Sequence, residues 1–261
     1  MPGDDASDRS GNSSLRYPGR GTRRPDCPAV STGLDAVVFD LGGVLTHSGK
    51  PSDVAKRYPD HDPTMIVGLI MGQYHLDTDH PWHRVERGEI TLDECRAATR
   101  ATLKERGIAS LGPPIGPLPG ESVTAAEPPL EPRPGTSSVV GPNFALNADM
   151  MALVADLRAA GLKTGMLTNN VREFRPLWWP LADWPALFDV IVDSHEVGMR
   201  KPNPVIYTLT LGRLGVSAER SAFLDDVESN VAAAESVGMT GIVVAEDTTV
   251  AIARTRALAG L

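Results

Sequence analysis

Cysteine is nearly missing from this chain. Two of the 261 residues, Cys27 and Cys95, carry thiols, and they form no C-x-x-C pair. That excludes a disulfide framework, a thiolate zinc site and a dithiol redox motif. Apolar runs are short, well under the ~18 residues a membrane span needs, so no membrane partner is expected. The first residues, Met1-Pro2-Gly3-Asp4-Asp5, lack a basic and then apolar opening. No signal peptide is read there, and a cytoplasmic location is expected. Positive charge is in the minority, with 25 Lys and Arg against 33 Asp and Glu and a formal net charge of −8. Without a basic block to offset this balance, nucleic acid is not an expected partner. G-x-G-x-x-G, the Walker loop and G-x-S-x-G are all missing, so dinucleotide binding, P-loop chemistry and serine hydrolysis have no support.

What the chain does have is unevenly spread. Residues 1–33 are rich in Gly, Ser, Asp, Arg and Pro without periodicity, and read as a disordered tail. Residues 110–142 hold repeated prolines, such as Pro113-Pro114 and Pro132-Arg133-Pro134, and read as a flexible insertion. The remainder alternates short apolar strands, at 36–39, 163–167, 190–192, 222–224 and 241–244, with amphipathic helices. One helix spans 150–160 behind Asn147 or Asp149 and stops at Gly161; another opens at Asn203-Pro204 and closes at Gly212 or Gly215. A third spans 228–237 and ends at Gly238, and a last one follows Asp247. Alternation of this kind implies a parallel sheet covered on both faces. More than a hundred residues separate the first two strands, too many for one crossover. The helical blocks at 53–72 and 81–107 therefore predict a separate cap. The expected layout is a core of 34–48 and 143–261, with a helical cap at 49–109.

Four fragments carry the chemistry. Asp40-Leu41-Gly42-Gly43-Val44 follows the first strand, Thr168-Asn169-Asn170 the second and Asp225-Asp226 the fourth, while Arg200-Lys201-Pro202 lies between. The carboxyl edge of a parallel sheet is where ligands bind. A carboxylate, a hydroxyl, an ammonium and an acidic pair meeting there suit a metal ion and a phosphoryl group. Each fragment alone also has an ordinary reading: an Asp that caps a turn, a turn after a strand, a surface lysine, a charged helix start.

In this order the fragments resemble the haloacid dehalogenase superfamily of hydrolases, most of which are phosphatases. The similarity is to the branch with a helical cap after the first strand, including the N-terminal phosphatase domain of soluble epoxide hydrolase and domains fused to acyl-CoA dehydrogenases. Glu86-Arg87-Gly88-Glu89-Ile90-Thr91, Val197-Gly198-Met199-Arg200-Lys201-Pro202 and Phe223-Leu224-Asp225-Asp226-Val227-Glu228-Ser229-Asn230 carry that likeness. The resemblance implies a three-layer Rossmann-like α/β fold with an inserted cap. It implies that Asp40 is the nucleophile and that an aspartyl phosphate forms on it. Mg²⁺ would be held by Asp40, the Gly42 carbonyl and Asp226, with Asp225 beside it. Thr168 and Lys201 would contact the phosphoryl group, assisted by Asn169, Asn170 and Gly43. The substrate would be a small phosphate ester.

One position departs from the family. Its phosphatases carry a second Asp two residues after the nucleophile, as general acid and base, and this chain has Gly42 there. Three readings follow: a phosphatase suited to good leaving groups or using His47 or Glu86 instead; a dehalogenase, since those relatives also lack this Asp; or a weakened protein that mainly binds a phosphorylated ligand. Halide displacement from carbon needs no Mg²⁺, so the acidic pair favours phosphate chemistry. His75, His80 and His83 show no metal-ligand spacing and read as cap packing. Trp178-Trp179 and Trp184 read as core, with a homodimer surface as the competing idea.

Overall fold

The computed structural model describes residues 33–47, 54–109 and 144–261. The expected tail, Gly33 apart, and the expected insertion at 110–142 fall outside them. The strands are β1 (Ala36–Phe39), β2 (Thr46–His47), β3 (Ala145–Leu146), β4 (Lys163–Thr168), β5 (Val190–Asp193), β6 (Ser221–Asp225) and β7 (Thr240–Val243). Five of them form one parallel sheet in the order β5-β4-β1-β6-β7. The first strand is therefore central, with β4 and β6 on its two sides.

Burial on both faces explains why β1 reads as an unbroken apolar run rather than an alternation. Val37 and Phe39 pack on one face with Leu153 and Leu157 of α4 (Ala148–Ala159) and with Trp178 and Trp184. Ala36 and Val38 pack on the other with Ile206, Tyr207 and Leu211 of α8 (Pro204–Leu214). Two apolar clusters on opposite faces of one strand make the three layers. Trp178 and Trp184 are fully buried, so their core reading stands.

Local chemistry sets the helix ends. Asn147 accepts from Met150 N–H and starts α4; Asn203 accepts from Val205 N–H ahead of Pro204, and Gly215 closes α8 in the left-handed region. In the cap, the expected helices are shorter than their apolar spacing suggests. Residues 54–55 are helical, and proline at its first turn starts a separate helix, α1, at Pro63 (Pro63–Met71). Gly88 at φ 70° separates α2 (Pro81–Glu86) from α3 (Leu92–Glu105), which restarts in a capping box of Thr91 and Glu94. These helices share a third apolar cluster, including Ile66, Trp82, Val85 and Leu92, which Val171 and Phe174 join. His83 is buried in the cap, and the ring of His80 caps α2 through Trp82 N–H. Among the described residues, no helix is long and apolar enough to cross a membrane.

Candidate active site

Strand register brings the fragments to one place. Phe39 is level with Met166 on β4 and with Leu224 on β6. Asp40 and Asp225, each one residue further on, therefore emerge side by side, and Asp40 N–H donates to the Leu224 carbonyl at 2.9 Å. Thr168 ends β4 at 2 % exposure on the other side of Asp40. The site occupies the carboxyl edge of the central strands, flanked by connections that leave in opposite directions.

Lys201 joins the carboxylates. Its Nζ lies 2.9 Å from Asp40 Oδ1 and 2.6 Å from Asp225 Oδ2, and its side chain is buried. Asn169 holds its backbone at both ends, accepting from Lys201 N–H at 2.8 Å and donating to the Lys201 carbonyl at 2.9 Å. Asp225 is fully buried and multiply bonded. Beside Lys201 it accepts from Val227 N–H at 2.8 Å, and Asn230 Nδ2 stands 3.1 Å from both of its oxygens. One oxygen each from Asp40, Asp225 and Asp226 lie within 4.8 Å of one another.

The charges are unevenly matched. Burial pushes the Asp40 carboxyl up, Lys201 pulls it down, and Asp225 and Asp226 raise it again, to about 8. Burial works against the Lys201 ammonium, but Asp225 and Asp40 outweigh it and hold its pKa above the ordinary lysine range. Three carboxylates and one ammonium form an oxygen-rich, net negative cluster. Oxygen donors without thiolate or imidazole suit a hard cation such as Mg²⁺, whose ligand oxygens sit about 3–4 Å apart. The residues present fit that ion.

The remaining site candidates are placed as follows. The adjacent acids are not both buried: Asp225 is, whereas Asp226 is exposed. Their buried cation is Lys201 itself. The Gly43 and Asn170 amides are both engaged within the protein. Gly43 N–H donates to the Thr46 carbonyl at 2.8 Å, and Asn170 N–H to Ser194 Oγ at 2.9 Å. The Asn169 side chain serves the Lys201 backbone. Glu86, considered as a replacement acid, has Trp82 Nε1 at 2.9 Å on one oxygen and Arg200 Nε at 2.7 Å on the other. His47 is exposed on β2, paired with Ala145 of β3.

Gly43 has a different task. At φ 77° it takes a left-handed turn, and a Cβ there would stand 2.3 Å from Asp226 Oδ2. Only glycine lets the loop after Asp40 come so close to the Asp226 carboxylate. Gly43→Ala is therefore expected to cost at least about 1–2 kcal/mol from backbone conformation, and to displace Asp226. Thermal unfolding and a Mg²⁺ titration check both effects; an unchanged Mg²⁺ affinity would contradict the displacement.

Sequence reasoning missed Arg200 and Tyr74. Arg200, next to Lys201, is fully buried, and its guanidinium lies 5.9 Å from the Tyr74 ring centre. Burial, and then Glu86, pushes the Tyr74 phenol well above its usual range; Arg200 opposes this, and Asp40 and Asp226 add to it. The adjacency of Arg200 to Lys201 was visible in the sequence; nothing there tied Tyr74 to the site.

The comparisons with known proteins agree with this arrangement. Residues 34–238 match the family model of haloacid dehalogenase-like hydrolases. A sesquiterpene phosphatase of Aspergillus oryzae is 30% identical over 214 residues, 82% of this chain and 91% of that protein. Acyl-CoA dehydrogenase family member 10 of Mus musculus is 32% identical over 212 residues, which are 78% of this chain and only 17% of that protein. Bifunctional epoxide hydrolase 2 of Rattus norvegicus is 32% identical over 225 residues, 81% of this chain and 36% of that one. The chain thus spans well under half the length of these last two relatives. Among solved structures, a predicted HAD-like family hydrolase from Porphyromonas gingivalis aligns with a TM-score of 0.55 at 21% identity, covering 86% of this chain and 98% of that one. A HAD family enzyme from Bacteroides thetaiotaomicron, solved with magnesium and inorganic phosphate, aligns at 0.53 and 17% identity over 82% of this chain and 96% of that one. With its sheet order, the register that brings Asp40 beside Asp225, and a family model spanning core and cap alike, the chain belongs to the haloacid dehalogenase-like hydrolases.

Proposed function

We propose that this hydrolase is a magnesium-dependent phosphatase of small phosphate esters, with Asp40 as its nucleophile. The observation that carries this reading is the cluster of Asp40, Asp225, Asp226 and Lys201 at the sheet edge. The phosphatase name of the fungal relative, matched along most of its length, supports it. Halide displacement from carbon would make no use of a net negative oxygen cluster, which favours phosphoryl chemistry over the dehalogenase reading.

In this reading an Asp40 carboxylate oxygen attacks phosphorus, the ester oxygen leaves, and the phosphoryl group rests on Asp40 until water releases it. Asp40, Asp226 and the Gly42 carbonyl would hold Mg²⁺, with Asp225 beside it. The bound ion supplies positive charge that lets two anions approach and offsets charge on the transferring group. Lys201 holds the Asp40 carboxylate in place and screens it from the incoming phosphate as a compact point charge. Asp225, fixed by Val227 N–H and Asn230, keeps the ammonium in position. Thr168 donates its hydroxyl to a phosphoryl oxygen. Gly42 supplies no proton to the leaving group, so acyl and aryl phosphates should react faster than alkyl phosphates.

The test is a panel of acyl, aryl and alkyl phosphates beside a chlorinated acid, each with Mg²⁺ and with chelator. Mg²⁺-dependent phosphate release that ranks with leaving-group acidity is the expected result. Chloride release, or phosphate release indifferent to chelation, would overturn the reading.

A further inference from the structure

The dipeptide Arg200-Lys201 faces two ways. Lys201 points into the candidate site, on Asp40 and Asp225. Arg200 points into the cap, where its Nε donates to Glu86 Oε2 of α2 at 2.7 Å and its Nη1 to the Leu76 carbonyl. Arg200 and Glu86 are 0 % and 2 % exposed. Trp82 Nε1 donates to the second Glu86 oxygen, so the carboxylate cannot swing away from the arginine. The loop carrying Leu76 is held along its length. Arg87 donates to Asp77 and to the Thr78 carbonyl, and Asn203 Nδ2 reaches Asp77 Oδ2 at 3.4 Å. Tyr74 lies on this loop beneath the Arg200 guanidinium.

Stability alone does not account for the pair. Taking a guanidinium and a carboxylate out of water costs about what their attraction returns, and apolar residues of the same volume often do as well. One guanidinium nitrogen, Arg200 Nη2, is moreover buried without a hydrogen-bond partner among the described residues, which adds to the cost. What an apolar pair would not supply is a directional link, across 114 residues of sequence, between the cap and the residue beside Lys201.

We propose that Arg200 is a positioning residue, which through its buried pair with Glu86 sets the cap loop at Tyr74 and Leu76 in register with Lys201 over the candidate site. This rests on the phosphatase reading of that site. Cap placement and lysine placement are then one variable: a substrate that needs the cap closed needs the pair intact.

The experiment is a double-mutant cycle in the full chain with Glu86→Gln, Arg200→Met and the double variant. Two readouts are used: kcat and KM for an aryl phosphate with Mg²⁺, and hydrogen–deuterium exchange of the segment 72–80. Each single variant is expected to lower kcat/KM by about 10-fold or more, mostly through KM. The double variant should be no worse than the poorer single one, because residues joined in one link lose it only once. Exchange at 72–80 should rise in all three, and Glu86→Asp should recover part of the loss. Additive losses, or kcat/KM unchanged in the folded variants, would overturn the proposal. If a single variant does not fold, the double variant, which leaves no unpaired buried charge, decides; full kcat/KM there refutes the link. A wild type inactive on every phosphate ester would end the phosphatase reading instead, and the exchange measurement would still test the link: unchanged protection at 72–80 refutes it.

Discussion

Asp40→Asn is expected to abolish turnover while making the protein more stable. On the phosphatase reading Asp40 is the nucleophile, and asparagine cannot form its bond to phosphorus, so a fall of roughly 10⁴-fold or more is expected. The gain in stability comes from the same group. Burial and the neighbouring Asp225 and Asp226 hold the Asp40 carboxyl at about 8 in the metal-free protein, against 3.8 unperturbed. Below the unperturbed value both states are protonated and there is no penalty. Between the two values the folded state holds a proton that the unfolded chain has released, so stability falls as pH rises through this window. Above the higher value the full penalty stands. Asparagine does not titrate, so the variant should show a flatter Tm against pH in chelator and a higher Tm at pH 8. The gain should be on the order of 1 kcal/mol or more, each kcal/mol corresponding to about 2–4 °C for a chain of this size. Mg²⁺ should narrow the difference by stabilising the wild type. A variant with full activity would end the phosphotransfer mechanism, and one less stable than wild type at pH 8 would contradict the charge balance drawn here.

The second large effect is a gain. Gly42→Asp places a carboxyl two residues after Asp40, where a general acid would protonate the leaving oxygen. Such a group contributes typically ~10²–10⁴-fold, or roughly 3–5 kcal/mol of barrier. The increase should fall on alkyl phosphates, whose leaving oxygen needs a proton, and be small on acyl and aryl phosphates. Of the two side chains weighed as substitutes, Glu86 is held on both oxygens by Trp82 and Arg200, and His47 is exposed on β2. The loop accommodates its left-handed turn at Gly43, one residue further on. Comparing kcat/KM for alkyl and aryl phosphates in variant and wild type is the measurement. An equal gain on both classes, or none on alkyl esters in a folded variant, would mean that proton delivery is not what position 42 lacks.

The outline of the fold was legible because its signals are local. A buried parallel strand is apolar along most of its length, which marks Ala36–Phe39 and the apolar stretches Met166-Leu167 and Ala222-Phe223-Leu224 that lead to Thr168 and Asp225. Asn203, Pro204 and Gly215 mark the ends of α8 through their own backbone preferences. The site fragments were legible for a related reason: Asp40, Thr168 and Asp225 each lie at or just past a strand end, so sequence position relative to a strand fixes their edge of the sheet. The cap helices were less so, since apolar spacing runs on through Pro63 and Gly88, where the backbone breaks. The ladder of β2 and β3 is only two residues per strand, too short for any alternation to register.

Only the tertiary structure decided which atoms the site has to spend. Whether an amide faces a ligand or its own turn depends on loop closure, and the loops consume the Gly43 and Asn170 amides while Asn169 serves the Lys201 backbone. Burial distinguishes two acids that the sequence presents as a pair, with Asp225 inside on Lys201 and Asp226 outside against Gly43. The link of Arg200 to Glu86 joins residues 114 positions apart. No local pattern encodes such a contact, because it exists only once the sheet edge and the cap have been brought together.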